Sequence, residues 1–470
     1  MNRISTDVAV IGAGTAGLAA YRVATAAGKR AVLIEGGPYG TTCARVGCMP
    51  SKLLIAAADA AHAPARWQEF GLRLEGAVRI DGPAVMARVK RERDRFVGFV
   101  LDSVAAIPEA NRIRGHARFV DDGTLQIDDH TAVAFGTAVI ATGSSASIAP
   151  FLRGLGDRLL ISDDVFDWND LPRSIAIFGP GVIGLELGQA LNRLGVRVLL
   201  FGRDCHVGPL SDPAVRAYAT RAFAAEFALD ADPEVRAIEQ TGDAVSLRYR
   251  APDGTERTET VDYVIAATGR APNVRALGLE NTTLALDGSG VPLHDRTTLQ
   301  CGAHGIFIAG DASDDRALLH EAADEGHIAG QNAARFPGIV PGFRRTPIGV
   351  VFTDPQLAMA GTRHADLAPG TFVTGAVSFE KQGRSRMMLR NVGLLHIYAE
   401  IATGRIAGAE MIGPDAEHLA HLLAWAIQSE MTVARALTMP FYHPVVEEGL
   451  RTALRHAQEG LTAAGLSAAA

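Results

Sequence analysis

Two copies of one glycine motif constrain the fold of this 470-residue chain more than any other feature of its sequence. Each copy has the spacing Gly-x-Gly-x-x-Gly, follows a short apolar run and precedes a helical pattern. This order is typical of a βαβ unit in which the N–H groups at a helix N-terminus bind a pyrophosphate. One motif is weak evidence because glycine-rich turns are common, but two in this context predict two nucleotide sites. The glycines are Gly12, Gly14 and Gly17 in the first copy and Gly179, Gly181 and Gly184 in the second.

The repeat continues beyond the glycines. Each copy leads into a second apolar strand, at 31–35 and 196–201, and much later into an apolar strand that ends in Ala-Thr-Gly at Gly143 or Gly269. An internal repeat on this scale predicts two Rossmann-like domains. After a Pro-rich stretch at 337–347, apparent strands and two helical patterns predict a separate α+β domain.

The composition narrows the class of protein. Hydrophobic residues make up 48% and charged residues 21% of the chain, as in an ordinary soluble globular protein. The formal net charge of -7 argues against a nucleic-acid or membrane partner. No apolar stretch approaches the about 18 residues of a membrane-spanning helix, and Asp7 interrupts an N-terminal run that resembles a secretory signal. Four cysteines are too few for a secreted disulfide scaffold, so we predict a cytoplasmic protein.

The residues that end the second strand of each copy differ in charge. Glu35 follows Gly17 by 18 residues, where a carboxylate binds the ribose of an adenosine that lacks a 2′-phosphate, so FAD suits the first site. The same position of the second copy is Gly202, and Arg203 follows it. Loss of the acid and gain of a cation favour a 2′-phosphate, so we predict that NADPH is accepted at the second site. The alternative is that Arg203 is a solvated surface residue.

A pair of cysteines, Cys43 and Cys48, lies shortly after the first copy. Residues five apart do not stack on an ideal helix, so a bond between the sulfurs requires a non-helical turn, which Gly47 and Pro50 favour. Proline is frequent in the first helical turn, which places Cys48 near a helix N-terminus, where the dipole lowers the pKa of a thiol. With Lys52 as a nearby cation, the pattern predicts a redox-active pair, and the alternative is two unrelated buried cysteines.

The glycine motifs and this cysteine run resemble those of the flavin-linked pyridine nucleotide–disulfide oxidoreductases, a family that includes dihydrolipoyl dehydrogenase, glutathione reductase and mercuric reductase. The resemblance covers nearly the whole chain. It implies that Cys43 is the thiol that exchanges with substrate and that Cys48 contacts the flavin. It also implies that Lys52 lies near the flavin and pairs with Glu186, which follows the second glycine motif.

The same resemblance implies further contacts with the two nucleotides. Asp311 is expected to bind the ribityl chain of FAD, and Arg270 is expected beside the nicotinamide nucleotide. The other implied contacts are Thr42, Lys52, Thr142 and Gly143 for FAD and Gly269 for NAD(P); Arg203 is assigned to NAD(P) from the comparison of the two glycine motifs and not from the resemblance.

The C-terminal run Tyr442–Glu448 is similar to a family signature, His-Pro-Thr-x-x-Glu. Thiol–disulfide exchange needs a base near neutral pH, and a carboxylate orients an imidazole and raises its basicity. His443 and Glu448 are assigned these roles, although a His before Pro is otherwise usually a surface or capping residue. In the family this histidine comes from the partner subunit, which implies a homodimer with a shared site. Two residues depart from the family pattern: Thr41 stands where glycine is usual, and Val445 where threonine is usual.

The sequence thus predicts an α/β fold of two Rossmann-like domains and a C-terminal α+β domain. We assign residues 1–147 and 274–345 to FAD binding, 148–273 to NAD(P) binding, 346–460 to dimerisation and 461–470 to a flexible tail. No metal site is predicted, and Cys205 and Cys301 have no partner in the sequence and are interpreted as incidental.

The predicted activity is that of an FAD-dependent dithiol–disulfide oxidoreductase. Dihydrolipoyl dehydrogenase is favoured because a lipoyl group needs only a narrow apolar channel. Two alternatives stay open: an NADPH-dependent reductase of another disulfide or small electrophile, and a non-catalytic flavin-stabilised redox sensor or binding protein. Any lipoyl-bearing multienzyme complex would have to be joined non-covalently, because the chain contains no lipoyl domain.

Overall fold

The computed structural model describes residues 2–465. Within it the chain divides into two compact units, each assembled from three segments that are distant in sequence. Unit 1 comprises Met1–Pro50, Arg88–Ser147 and Arg270–Arg344, and unit 2 comprises Ser51–Ala87, Ile148–Gly269 and Arg345–Ala470.

Helices and strands alternate around the two glycine motifs, and runs of consecutive strands separate these regions. The strands are β1 Asn2–Ile11, β2 Ala31–Glu35, β3 Arg112–Arg114, β4 Ala117–Asp121, β5 Thr124–Ile127, β6 Thr131–Ile140, β7 Ser144–Ala146, β8 Leu159–Ile161, β9 Ser174–Phe178, β10 Arg197–Phe201, β11 Ala228–Asp230, β12 Glu234–Thr241, β13 Ala244–Arg250, β14 Glu256–Val261, β15 Tyr263–Ala266, β16 Arg270–Pro272, β17 Ile306–Ile308, β18 Ile348–Val351, β19 Gln356–Gly361, β20 Phe372–Ser378, β21 Leu394–Glu400 and β22 Ile406–Gly413. The helices are α1 Thr15–Ala26, α2 Thr42–Val46, α3 Cys48–His62, α4 Gly82–Ala105, α5 Val182–Arg193, α6 Pro213–Ala224, α7 Leu319–Arg335, α8 Gly383–Met387, α9 Ala416–Gln428, α10 Val433–Leu437 and α11 Glu448–Ala463.

Unit 1 is built around one mixed sheet with the strand order β3-β2-β1-β6-β5-β4, and β17 also pairs with β6. β1 runs parallel to β2 and β6, whereas β5 is antiparallel to β6 and β4. The buried C-terminal half of β1 is a continuous apolar run, Val8–Ile11, as expected for a parallel strand covered on both faces.

α1 and α7 pack against each other so closely that glycine is required at their contact. A Cβ at Gly326 would lie 2.2 Å from the carbonyl oxygen of Ala16, and a Cβ at Gly330 would lie 2.7 Å from that of Ala20. Two glycines four residues apart share one face of α7. The small residues of both helices therefore set their separation.

Unit 2 contains a second parallel sheet with the order β11-β10-β9-β15-β8. β9, α5 and β10 repeat the arrangement of β1, α1 and β2. The same unit holds an antiparallel sheet, β12-β13-β14, and the C-terminal antiparallel sheet β18-β19-β22-β21-β20. The hydrophobic core of this last sheet includes residues of α9 and α11 and the fully buried Phe379.

The α/β class, the two Rossmann-like folds and the C-terminal α+β domain predicted from the sequence are confirmed. The residue ranges assigned to the FAD-binding, NAD(P)-binding and dimerisation domains stay predictions. The expected tail at 461–470 is wrong in its first part, because α11 continues to Ala463 and Leu461 is buried. Residues 466–470 of that tail lie outside the described residues.

Candidate active site

Close backbone contacts form the turn of the first glycine motif. A Cβ at Gly12 would lie 2.2 Å from the carbonyl oxygen of Ala141, and a Cβ at Gly17 would lie 1.9 Å from that of Gly12. Neither position can therefore hold a side chain. Gly14, the residue before α1, has open space where its Cβ would be. That space lies at a helix N-terminus, where backbone N–H groups favour an anion.

The second glycine motif has the same geometry. A Cβ at Gly179 would lie 2.2 Å from the carbonyl oxygen of Ala267, and a Cβ at Gly184 would lie 1.9 Å from that of Gly179. Gly181 precedes α5 and, like its counterpart in the first motif, has open space around it. The two turns are therefore two copies of one backbone structure.

Glu35 closes the first turn. Its Oε2 accepts a hydrogen bond of 2.7 Å from the N–H of Ala13, and its Oε1 accepts one of 2.7 Å from the N–H of Gly37. The carboxylate is thereby fixed at the end of β2, next to the glycine turn, as a ribose-binding acid requires.

The second turn has no such carboxylate. Pro180 lacks an N–H at the position of the first motif's donor, and Gly202 at the end of β10 has no room for a side chain, since its Cβ would lie 2.5 Å from the carbonyl oxygen of Ala231. Arg203 is 90% exposed, and its Nε donates to Oδ2 of Asp204 at 3.1 Å. An exposed pair of this kind contributes little to stability and is readily exchanged for another anion.

The cysteine pair spans a tight turn between two helices. Cys43 lies in α2, and Cys48 is the first residue of α3, as the sequence predicts. A Cβ on the intervening Gly47 would lie 3.2 Å from Cα of Cys43, so the chain doubles back closely here. Cys48 is exposed at a helix N-terminus, where the dipole stabilises a thiolate.

Thr41, one of the departures from the family pattern, has a backbone conformation that suits glycine. Its φ of 58° and ψ of 149° lie in a region that costs about 1–3 kcal/mol for a residue with a side chain. The hydroxyl offsets part of this cost, because Oγ1 accepts the N–H of Ala44 and so caps α2. The next residue, Thr42, is exposed.

Lys52 and Glu186 form an ion pair within unit 2. The Lys52 Nζ donates to Oε2 at 2.7 Å and to Oε1 at 2.9 Å. Glu186 is buried, and its Oε1 also accepts the N–H of Phe352 at 3.0 Å. The ammonium lies 4.7 Å from the centre of the Phe352 ring. The pairing implied by the family resemblance is therefore present.

His443 and Glu448 also form a pair within unit 2. Nδ1 of His443 lies 3.0 Å from Oε2 of Glu448, and the imidazole is 79% exposed. This hydrogen bond holds the pKa of the Glu448 carboxyl below its ordinary value. Arg451 donates to Oε1 at 3.1 Å, and the N–H of Val445 reaches Oε2 at 3.4 Å. With Nδ1 facing a carboxylate, Nε2 is the ring atom that can take up a proton.

Asp311 and Arg270 meet on the same serine in unit 1. Ser144 donates its hydroxyl to Oδ2 of Asp311 at 2.6 Å, and Nε of Arg270 donates to the same hydroxyl at 2.8 Å. The resemblance implies FAD for Asp311 and the nicotinamide nucleotide for Arg270. No sequence pattern singles out Ser144, since a lone serine after a strand has many possible partners.

Two buried polar atoms in unit 1 fit a bound nucleotide. Oγ1 of Thr142 and the hydroxyl of Tyr39 are buried and have no hydrogen-bond partner within residues 2–465. Buried polar atoms normally have a partner, so these two indicate a ligand that supplies one. Together with the open side of Gly14 and the fixed carboxylate of Glu35, they fit FAD. Gly143, beside Thr142, has open space at its Cβ position.

The other two cysteines do not join the site. Cys205 is exposed in the loop after β10, and Cys301 is fully buried. Burial raises the pKa of the Cys301 thiol to about 12, so it stays protonated and unreactive at neutral pH. Residues 2–465 contain no cluster of three or more His, Cys, Asp or Glu side chains that could hold a metal ion.

Comparison with known proteins identifies the family. Residues 6–326 match the family described as pyridine nucleotide-disulphide oxidoreductase, and residues 348–454 match its dimerisation domain. The chain belongs to this family. It is an FAD-dependent oxidoreductase that uses FAD and NAD(P). No helix within the described residues is long and apolar enough to cross a membrane.

Relatives with different substrates resemble this family member about equally. Dihydrolipoyl dehydrogenase of Geobacillus stearothermophilus is 29% identical, with 95% of this chain and 94% of the relative covered. Mercuric reductase of Shigella flexneri is 31% identical, with 95% and 80% covered. The solved structure of LpdA from Mycobacterium tuberculosis, 25% identical, superposes with a TM-score of 0.80 over 97% of this chain and 99% of that chain.

The repeated glycines allow a paired test of the two nucleotide sites. Gly14→Ala should fold normally because its Cβ meets nothing within 4 Å, but the methyl group would occupy the pyrophosphate position. We expect FAD affinity to fall at least about tenfold, the effect of 1.4 kcal/mol, when the chain stripped of flavin is titrated with FAD. Gly181→Ala should leave FAD affinity unchanged and weaken NAD(P)H binding instead.

Each variant controls for the other, because both place the same methyl group on the same backbone turn. Loss of FAD from both variants, or from neither, would contradict the assignment of the first turn to FAD and the second to NAD(P).

Proposed function

We propose that this oxidoreductase is a dihydrolipoyl dehydrogenase, which oxidises a dihydrolipoyl dithiol to its disulfide with NAD+ as the final acceptor. The observation that carries the proposal is the position of Cys48 at the N-terminus of α3, one tight turn after Cys43. The dihydrolipoyl dehydrogenase relative, which aligns over almost its whole length, supports this choice of dithiol.

The cysteines perform the exchange with substrate. A substrate thiolate attacks Sγ of Cys43 in the oxidised pair, and the bond that breaks releases the Cys48 thiolate. The second substrate thiolate then attacks the substrate-derived sulfur of the mixed disulfide, which breaks the bond to Sγ of Cys43 and releases the substrate disulfide and the Cys43 thiolate. The substrate loses two electrons and two protons, and the cysteine pair gains the electrons.

His443 removes the protons. Its Nδ1 is held by Glu448, so Nε2 accepts a proton from each substrate thiol in turn and passes it to solvent. The lowered pKa of Glu448 keeps that carboxylate charged throughout the neutral pH range, which stabilises the imidazolium that forms.

FAD, when bound, carries two electrons between the cysteine pair and the nicotinamide nucleotide. Gly12, Gly14, Gly17, Glu35, Thr142 and Asp311 are the residues of this chain that would hold it. Lys52 and Glu186 place a fixed ion pair in α3 and α5. We propose that this ion pair orients the flavin ring of bound FAD.

The active site is complete in a homodimer, in which the His443–Glu448 pair of each subunit serves the cysteines of the other. Three observations support this arrangement: the matched dimerisation domain, the exposure of His443, and an apolar groove of about 560 Å³ in the C-terminal domain. Trp425 and Tyr442 line this groove and are 68% and 80% exposed in the single subunit.

A second candidate is an NADPH-dependent reductase of another disulfide or small electrophile. The absence of a carboxylate at the end of β10 favours it, because Gly202 and Arg203 suit a 2′-phosphate. Asp204 opposes it, since its negative charge beside Arg203 disfavours a 2′-phosphate.

Steady-state kinetics separates the two candidates. We expect the highest kcat/KM for dihydrolipoamide with NAD+, and lower values for glutathione disulfide or quinones with NADH or NADPH. In the same assays, Arg203→Ala should lower kcat/KM for NADPH and leave kcat/KM for NADH unchanged. Asp204→Asn should raise kcat/KM for NADPH, because it frees the guanidinium of Arg203. A preference for NADPH with another disulfide would replace the first candidate by the second.

The cysteine roles have a spectroscopic test. Wild-type protein reduced anaerobically by two electrons should show a long-wavelength absorption band from the Cys48 thiolate beside the flavin. Cys48→Ser should abolish the band, whereas Cys43→Ser should show it without reduction, because Cys48 can no longer form the disulfide. Cys205→Ser is the matched control and should behave as wild type. An identical spectrum in all forms would exclude dithiol chemistry and favour a flavin-stabilised redox sensor.

The base has a kinetic test. His443→Gln should lower kcat for dihydrolipoamide oxidation by about 10²–10⁴-fold, the usual contribution of general acid–base catalysis. NADH oxidation by ferricyanide should stay unchanged, since it needs no thiol exchange. His421→Gln, which changes an exposed histidine bonded to the carbonyl oxygen of Glu417, is the control. Equal losses with both electron acceptors would argue against the assigned role.

A further inference from the structure

A two-stranded ribbon joins the ends of the two Ala-Thr-Gly segments. β7 and β16 are antiparallel, with Ala146 opposite Arg270 and Ser144 opposite Pro272. The N–H of Asn273 donates to the carbonyl oxygen of Gly143 at 2.9 Å and extends this connection. Both strands of the ribbon lie in unit 1.

Two hydrogen bonds connect Arg270 to Ser144 and Ser144 to Asp311, and the donor of each can be assigned. The Ser144 hydroxyl has a single proton, which it donates to Oδ2 of Asp311 at 2.6 Å. The hydroxyl oxygen of Ser144 must therefore accept the hydrogen bond of 2.8 Å from Nε of Arg270. Nη2 of Arg270 also donates to the carbonyl oxygen of Ser144 at 2.7 Å, which fixes the guanidinium plane. A permanent cation thus acts on a carboxylate through one hydroxyl.

The backbone of Asp311 is restrained separately. Oε2 of the fully buried Glu325 accepts the N–H of Gly310 at 2.8 Å and the hydroxyl of Ser313 at 3.3 Å. Oε1 of Glu325 accepts from Arg344 at 2.8 Å. The main chain around Asp311 is therefore held without Ser144, and the serine is left to orient the carboxylate.

We propose that Ser144 and Arg270 are positioning residues of the FAD site, and that Arg270 acts on Asp311 through the Ser144 hydroxyl and not on the nicotinamide nucleotide. With Oδ2 engaged by Ser144, Oδ1 is the oxygen that a ribityl hydroxyl would reach. This inference rests on the proposed role of Asp311 in binding FAD.

Ser144→Ala removes the hydroxyl that connects Arg270 to Asp311 and leaves both charged side chains in place. Ser145→Ala is the matched control, because Ser145 is the next residue of β7, is exposed and donates to Oδ1 of Asn273. The full-length chain is stripped of flavin and titrated with FAD, and quenching of FAD fluorescence measures the Kd. The Kd of Ser144→Ala should be about tenfold or more above that of wild type, as expected for a lost charge-assisted hydrogen bond. The Kd of Ser145→Ala should equal that of wild type.

A second set of variants distinguishes positioning from folding. Ser144→Thr keeps the hydroxyl and should restore FAD affinity. The melting temperatures of the flavin-free chains should be equal, so that only the rise in melting temperature on adding FAD is smaller for Ser144→Ala. Arg270→Gln should weaken FAD binding while leaving the NAD(P)H affinity of the flavin-loaded protein unchanged.

Three results would overturn the inference. Ser144→Ala could bind FAD as tightly as wild type, Ser144 and Ser145 variants could lose affinity equally, or Arg270→Gln could weaken NAD(P)H and spare FAD. Failure of the wild-type chain to bind FAD at all would overturn the proposed function as well, so the two failures are distinguishable.

Discussion

The close approach of glycine backbone to carbonyl oxygen is the constraint on which both nucleotide sites depend. Gly12 meets Ala141 and Gly17 meets Gly12 at distances that no Cβ could tolerate. Because these contacts draw α1 onto the end of the sheet, its first N–H groups converge on one open point beside Gly14. The second copy has the same contacts, so the backbone alone creates two anion sites, and the surrounding side chains must distinguish them.

Side-chain charge makes that distinction. In unit 1, the carboxylate of Glu35 is satisfied by two backbone N–H groups at the end of β2. In unit 2, Pro180 removes one donor and Gly202 removes the acid, so neither partner is left unsatisfied. The two changes compensate each other. A single change would leave a polar group without its partner beside the turn, which explains physically why the two copies differ at both positions.

The sequence predicted what depends on local backbone geometry. Both glycine turns and the start of α3 at Cys48 follow from spacing within a few residues. Contacts between distant residues were predicted only through the family resemblance, as for Lys52 and Glu186. The sheet β12-β14 and the contact of Ser144 with Asp311 were not predicted, because polar residues on short strands fit many partners. The end of α11 was misplaced because the burial of Leu461 depends on tertiary packing.

The departures from the family pattern show which part of a signature carries the geometry. Val445 contributes its N–H to Glu448, a group that every residue except proline supplies, so replacement of threonine leaves this contact in place. Thr41 is different, because its φ of 58° favours glycine and strains a β-branched residue. Its hydroxyl accepts the N–H of Ala44, and this cap on α2, the helix that contains Cys43, offsets part of the strain. Glycine could not supply this bond, so strain at Thr41 is coupled to order in α2, which holds the proposed exchange thiol Cys43.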